Sequence, residues 1–497
     1  MKLIKNFLLS AALLLAAPAI SAEHLIILHT NDTHSQIDPD DKNLGGWFRH
    51  KAIIDSVKAA NENVIVVDAG DAVQGTLFFN IYKGKVEYKL KEIMGYDYCI
   101  LGNHDFDYTD TLMAKAIIPT NLKWISSNYE FKNKELAKKF VKYDIKTIAD
   151  KKIAFLGLNL NPKGMIAQGC YDNTIYHDAI EAAKHLTDSL KNSGAADIVI
   201  AISHLGYQNI KAIGDVDLKK ACPNIDIIIG GHSHQLVEIE SPCCWHKLGV
   251  EPLIVQAFKY GYKLGEFDID LETMEARHKF YDIDSRYDKY PKDKVMEEFL
   301  TKFRQGVDSV NRIYISNIKE TLREENPELR NFLADFILCR AQEMSGKQKV
   351  DLAIINVGSI RKPWIKGKLS EGQVMTTQPF SNRVSIQEIS GDSLISCFKY
   401  MTIRKGEGVS KNVDIKMSED HQDYIYAKVN GKNIDPNKTY RIATIDYLAN
   451  GGDSFDMLEA FPIVKLSENI VQEDLINYIK KHHKKHLKTS DKQRMHY

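Results

Sequence analysis

Five short segments hold the residues whose types and spacing could do chemistry. They are His29-Thr30-Asn31-Asp32-Thr33-His34, Asp68-Ala69-Gly70-Asp71, Gly102-Asn103-His104-Asp105-Phe106-Asp107, Ser203-His204 and Gly230-Gly231-His232-Ser233-His234. Asp, Asn and His are the donors that a borderline-hard divalent ion takes. Singly, a His or Asp in such a place more often caps a turn than binds an ion. The set carries more weight, because D-x-H, G-D, G-N-H-D, a lone H and G-H-x-H occur in that order, each directly after an apolar run. The spacing in Asp32-x-His34 and His232-x-His234 predicts that both side chains of each pair leave an extended segment on one side. Glycines at 70, 102, 230 and 231 let the backbone turn sharply enough for the donors to converge. His104 directly follows Asn103, so its side chain should point elsewhere, towards a substrate.

The elements that must position these residues are legible as apolar runs. Leu25–Leu28, Val64–Val67, Cys99–Leu101, Ile153–Leu158, Ile198–Ile202, Ile225–Ile229 and Leu253–Val255 read as strands buried on both faces. Gly46 to Ala60 and Asp178 to Lys191 are plausible crossover helices, giving an α/β domain with a largely interior sheet. In open α/β sheets the C-terminal strand ends converge on the ligand site, and five runs here end in Asp, Asn or His. Val295, Met296, Phe299, Leu300, Phe303 and Val307 then fall at helical spacing amid charges, predicting an amphipathic linking helix and a domain boundary within 285–316. A second α/β domain opens at Asn326-Pro327, an N-cap and a first-turn proline, with a helix to about Gln342. A strand at Asp351–Asn356 and another ending at Asp446 follow.

The chain has 497 residues, 66 Lys+Arg against 66 Asp+Glu, and seven cysteines. Zero net charge argues against a protein that coats nucleic-acid polymers. Lys2 and Lys5, the apolar run Phe7–Ile20 and the small pair Ser21-Ala22 read as a secretory signal peptide, implying export to the periplasm or the outside. The run is short for a bilayer span, the C-terminal end is polar, and no membrane anchor is expected. With seven cysteines at least one thiol lacks an internal partner; a bridge from Cys222 to Cys243 or Cys244 is conceivable in an oxidising compartment. Cys99, Cys339 and Cys397 read as buried single thiols. The oligomeric state is not legible.

Three motifs stand out in the second domain: Asn356-Val357-Gly358-Ser359-Ile360-Arg361, Gln378-Pro379-Phe380, and Tyr447-Leu448-Ala449-Asn450-Gly451-Gly452-Asp453. Phe380 and Tyr447 could face the ring of a base, although by burial habit such aromatics are more often core. Asp453 could accept from ribose hydroxyls, and Arg323 and Arg361 offer planar forks to phosphate.

The ordered metal motifs resemble the calcineurin-like metallophosphoesterase signature, and with the three later motifs the chain resembles the 5′-nucleotidase family over roughly residues 25–460. That family includes bacterial periplasmic 5′-nucleotidase/UDP-sugar hydrolases and vertebrate ecto-5′-nucleotidases. The resemblance implies a four-layer αββα metallophosphoesterase domain at 23–284 after a signal peptide at 1–22. A linking helix at 285–316 and a nucleotide-binding C-terminal domain at 317–497 would follow. It implies two divalent ions, zinc, manganese or similar. Asp32, His34 and His234 would bind one and Asn103, His204 and His232 the other, with Asp71 bridging. His104 would stabilise the transferring phosphoryl group, oriented by Asp107. Arg323, Asn356, Gly358 and Arg361 would line the nucleotide site, Phe380 and Tyr447 stack on the base, and Asp453 hold the ribose. The sequence departs from the pattern at Ser359 for a usual glycine, Tyr447 for a common Phe, and Gln36 where some members place an arginine. His234 stands where members also carry Gln or Asn.

The implied activity is release of phosphate from AMP-like nucleotides by in-line attack of hydroxide, with UDP-sugars as a further substrate class. The substrate would bridge the domains, which the family rotates about the linking helix. The rivals are a 2′,3′-cyclic phosphodiesterase/3′-nucleotidase or UDP-sugar pyrophosphatase of the same fold, and a non-catalytic extracellular nucleotide-binding protein.

Overall fold

Leu25 and Ile27 leave the strand His24–Thr30 on one side and Ile26 and Leu28 on the other, and all four are buried. The first pair joins a core with Ile65, Val67, Phe155, Ile200, Ile227 and Phe267, contributed by two facing sheets. The second pair packs with Val66 against Ile53 and Ile54 of the helix Trp47–Ala60 and Leu90 of the helix Lys85–Met94. On the far sheet Ala154, Leu156, Val199 and Ala201 pack outward on Ala179, Ala183 and Leu190 of the helix Ala179–Asn192 and on Leu218. Alternation within continuously apolar strands thus builds helix, sheet, sheet and helix layers, the predicted αββα architecture. The computed structural model describes residues 23–167, 169–208 and 212–497. The signal-peptide reading of 1–22 lies outside them.

The first sheet has eight strands. His24–Thr30, Val64–Asp68, Tyr98–Cys99, Lys123–Ile125 and Phe140–Val141 run parallel in that order. Lys263–Asp270 pairs antiparallel with the other edge of His24–Thr30. The second sheet has six strands, with Ile198–His204 parallel to both Lys151–Asn159 and Ile227–Gly230. Parallel pairing aligns the ends at Thr30 and Asp68 in one sheet and at His204 and Gly230 in the other. This delivers four of the five chemical segments to one rim; the fifth begins three residues after Cys99.

The helix expected to link the domains, Lys294–Asn311, is capped by Asp293, whose carboxylate accepts from Met296 N at 2.8 Å; such a cap is worth about 1 kcal/mol. Met296 and Leu300 are buried in the first domain's outer core, with Phe299, Phe303 and Val307 against it. Val295, predicted to share that stripe, is 60% exposed, because it lies off the arc the other five define. The second domain is built on a five-stranded mixed sheet in the order Gly408–Val409, Leu352–Ile355, Thr439–Ile445, Val384–Ser390 and Ile463–Leu466. The helices Pro327–Ser345 and Gly391–Ile403 pack on it, the former starting one residue after Asn326 as expected.

All seven cysteines are free. Cys222 is buried in the outer core while Cys243 and Cys244 are exposed, and neither conceivable bridge forms. Cys99 and Cys397 are buried thiols, but Cys339 is partly exposed. No helix among the described residues is long and apolar enough to cross a membrane.

Candidate metal and nucleotide site

The strands stop at Thr30, Asp68 and Gly230, and the residues beyond them turn. Asp32, His34, Asp71, His232 and His234 all have positive φ, between 44° and 73°. Non-glycine residues rarely adopt this backbone, and its concentration in one place marks a site where the fold over-determines an unfavourable conformation. Asp32 and His34 therefore converge through left-handed turns, as do His232 and His234, and not through strand alternation as the spacing predicts. Close backbone approach explains two of the glycines. A Cβ on Gly102 would lie 2.0 Å from Asp71 Oδ1, and one on Gly231 would lie 2.8 Å from His204 Nδ1.

The seven predicted donors come together. The side-chain donor atoms of Asp32, His34 and His234 lie within 4.8 Å of one another, as do those of Asp32, Asp71 and His204. His34 Nε2 is 2.9 Å from His234 Nε2, and His232 Nδ1 is 2.9 Å from Asn103 Oδ1. Asp71 Oδ2 reaches both halves, 3.2 Å from His204 Nε2 and 4.0 Å from His34 Nε2. His204 Nδ1 donates to the Ala69 carbonyl oxygen at 2.7 Å, which turns Nε2 to Asp71. Burial opposes protonation of His204, but the Asp71 carboxylate raises its pKa to about 10, so Nε2 carries a positive charge, a proton or a metal ion, against that carboxylate. His34 and His234 also meet nitrogen to nitrogen at 2.9 Å, a contact that a shared proton or a cation relieves. The donor set therefore fits divalent ions. The surrounding bonds fix ligand orientation: Asp32 accepts from His232 N at 2.9 Å and from Asn31 Nδ2 at 2.6 Å.

Electrostatics agree with this reading. Burial pushes the Asp71 carboxyl upward, but the imidazoles of His204, His104 and His34 outweigh it and hold it well below the usual carboxylate range. Burial lowers His34 well below its ordinary value, reinforced by His234, and lowers His232 to about 4. Both imidazoles are neutral at neutral pH, the form that ligation needs. Burial opposes protonation of His104, yet the carboxylates of Asp107 and Asp71 raise its pKa. Its Nδ1 lies 3.0 Å from Asp107 Oδ1, so Nε2 is the atom left to meet a ligand.

The second domain closes the site. A cavity of about 300 Å³ is lined on the first-domain side by Asp71, Asn103, His104, Asp107, His232 and His234. On the other side lie Asn356, Gly358, Arg361, Phe380, Tyr447 and Asp453. Arg361 Nη2 is 3.4 Å from His104 Nε2, and its guanidinium carbon is 5.2 Å from the Phe380 ring centre. Two buried polar atoms at the cavity, Arg361 Nε and Asn356 Oδ1, have no hydrogen-bond partner, as expected of groups kept for a ligand. Tyr447 donates to Asp453 Oδ1 at 3.2 Å and lies so close over Gly452 that a Cβ there would be 2.6 Å from the ring. The domains also meet where the Ser381 hydroxyl donates to the Asp107 carbonyl and Asn80 Nδ2 donates to the Met375 carbonyl at 2.8 Å.

Arg323 is exposed before the helix Pro327–Ser345 and does not line this cavity. Ser359 is buried, its hydroxyl donating to the Asn356 carbonyl at 2.8 Å, so the departure from glycine is absorbed locally. At Gln36 a cation arrives from the other domain: Lys362 Nζ lies 3.4 Å from Gln36 Oε1. Sequence reasoning missed Arg404, which lines the cavity. It also missed Gln256, buried, which holds Gly231 O, Ser233 Oγ and Gln235 N with its amide. Neither stands in a motif; Gln256 had only its place at the end of a strand as a signal. Asp105 is structural: its carboxylate accepts from Gly102 N and the Tyr88 hydroxyl. Asp68 pairs with buried Lys91 at 2.5 Å.

Comparison with known proteins matches both halves of this architecture. Residues 25–236 match the calcineurin-like phosphoesterase family and residues 308–460 the 5′-nucleotidase C-terminal domain. The chain is 26% identical over 497 aligned positions to the trifunctional nucleotide phosphoesterase protein of Bacillus subtilis, covering 87% of this chain but only 32% of that protein. It is 24% identical to the human 5′-nucleotidase, covering 89% of this chain and 86% of the relative. The crystal structure of a 5′-nucleotidase precursor from Thermus thermophilus superposes with a TM-score of 0.79 at 24% identity, covering 95% of this chain and 99% of that one.

Proposed function

We propose, from the premise that this chain belongs to the 5′-nucleotidase family of metallophosphoesterases and hydrolyses phosphoesters, that its substrates are nucleoside 5′-monophosphates of the AMP class. Phosphate and nucleoside would be the products. The observation that carries this reading is the placement of Arg361, Phe380 and Asp453 across one cavity from Asp71, Asn103 and His104. A phosphate at the metal donors leaves room for a sugar and base only against the second domain.

Asp32, His34 and His234 would hold one divalent ion and Asn103, His204 and His232 a second, with Asp71 between them. Such ions supply water of lowered pKa and neutralise charge on the phosphoryl oxygens. His104, whose pKa burial lowers but the Asp107 carboxylate raises, directs Nε2 at the phosphoryl group and would stabilise its growing charge. Arg361, 3.4 Å from that nitrogen, offers its guanidinium to the same oxygens. Phe380 and Tyr447 would present faces to the base, and Asn356 and Asp453 polar atoms to the ribose. We infer domain limits of 23–284, 285–316 and 317–497, and export on the pattern of residues 1–22.

Hydrolysis of AMP, 3′-AMP, cyclic 2′,3′-AMP and UDP-glucose, each with and without a reversible chelator, tests the reading. AMP is expected to be turned over fastest, with activity lost on chelation and restored by metal. Faster turnover of 3′-AMP or the cyclic nucleotide would replace 5′-specificity with the activity of a related enzyme of this fold. No turnover of any compound would leave a binding protein.

A further inference from the structure

Arg404 follows the helix Gly391–Ile403 and belongs to none of the recognisable motifs, yet it stands at the sugar end of the cavity. Its Nε donates to Glu407 at 2.5 Å, and Glu407 is buried, also accepting from Val357 N at 2.5 Å. Its Nη2 reaches Asp453 Oδ2 at 3.4 Å. Asp453 is itself strained, with φ of 52°, and receives Asn356 Nδ2 on Oδ2 at 2.7 Å and the Tyr447 hydroxyl on Oδ1 at 3.2 Å. Arg404 and Asp453 also line a second cavity of about 590 Å³, so the pair forms part of the wall between two open spaces. Asn356 and Tyr447 hold this carboxylate with neutral donors, and Arg404 adds a cationic one at 3.4 Å. Arg404 cannot serve as a free phosphate receptor, because two carboxylates share its single charge.

We propose that Arg404 is a specificity-determining positioning residue. Anchored by Glu407, it fixes Asp453 so that the carboxylate accepts from both hydroxyls of a ribose cis-diol, and it thereby makes the site favour ribonucleotides over deoxyribonucleotides. The inference rests on the nucleotidase reading and deepens it. A fixed carboxylate makes two short bonds to a diol, and each hydrogen bond to a charged group contributes more than a neutral one. Loss of orientation removes that advantage for AMP and leaves 2′-deoxy-AMP, which lacks one donor, nearly as it was.

The test is kcat and KM for AMP, 2′-deoxy-AMP and p-nitrophenyl phosphate in the metal-loaded full chain, for the wild type, Arg404→Gln and Arg404→Lys. The lysine variant keeps the charge beside buried Glu407, which protects the fold, but lacks the second arm of the fork. For both variants KM for AMP is expected to rise roughly tenfold, the worth of one charge-assisted bond, with kcat little changed. The AMP to 2′-deoxy-AMP ratio of kcat/KM should fall by the same factor. Equal losses on all three substrates, or an unchanged ratio, would overturn the proposal. A wild type that turns over AMP without preferring it to 2′-deoxy-AMP would overturn it while leaving the nucleotidase reading intact. A wild type that hydrolyses p-nitrophenyl phosphate but neither nucleotide would overturn both.

Discussion

Replacing His104 by Asn is expected to lower kcat for AMP by roughly 10²–10⁴, the range for a positioned proton-bearing group, with no change in bound metal. The geometry gives the reason. Nδ1 is held by Asp107 at 3.0 Å, and Nε2 points into the cavity beside Arg361. The imidazole therefore contributes a fixed N–H where charge develops on the phosphoryl group, and an amide at that position carries no charge. KM should move far less than kcat, since the interaction strengthens in the transition state. Replacing Asp107 by Asn should reproduce part of the loss, because the ring would keep its place but lose the carboxylate that favours its cationic form. Metal analysis alongside the kinetics separates this account from its rival: loss of an ion in the His104 variant would make that residue a ligand.

A larger effect is expected at Asp71. Its carboxylate lies between the two groups of donors, 3.2 Å from His204 Nε2 and 4.0 Å from His34 Nε2. Asp71→Asn should lower kcat by roughly 10³-fold or more, since metal-ion charge stabilisation supplies several kcal/mol and each 1.4 kcal/mol is tenfold. Bound metal should fall below two ions per chain. The metal-free variant should also be less stable to heat at neutral pH than the metal-free wild type, because a carboxylate that the surrounding imidazoles hold well below its usual range stabilises the fold and an amide cannot balance His204. A variant that keeps both ions and most of its turnover would remove Asp71 from the centre of the account.

Much of this was readable in the chain. Strands such as Ile198–His204 are apolar on both faces because sheets and helices cover both, so their runs are continuous and easy to see. The donors were readable because each follows such a run, and parallel pairing aligns those ends. What was not readable depends on backbone geometry and distant partners. The left-handed turns at Asp32 and His232 leave no mark in residue type, so alternation gave the correct convergence for the wrong reason. Val295 fell outside its stripe because a list of apolar residues does not say which arc of a helix the core covers. Free Cys222 follows from packing in the outer core, far from the exposed Cys243 and Cys244 in burial if not in sequence.

The nucleotide pocket was legible in part. Phe380, Tyr447 and Asp453 stand in motifs and line the cavity, whereas exposed Arg323 does not. Arg404 shows how a pocket residue escapes: it lies 43 positions before Tyr447 and 43 after Arg361, in a loop with no motif, and only the fold brings it to Asp453. Lys362 likewise meets Gln36 from the other domain, a contact that no motif marks.

The central claim is that two divalent ions, held by the seven converging donors, are required together for turnover. The most direct measurement is AMP hydrolysis at saturating substrate while chelator-stripped protein is titrated with Mn²⁺ and bound metal is counted on the same samples. Activity that climbs to its plateau as occupancy reaches two ions per chain is the predicted result. A plateau reached at one ion per chain, or full activity in the stripped protein, would contradict the account.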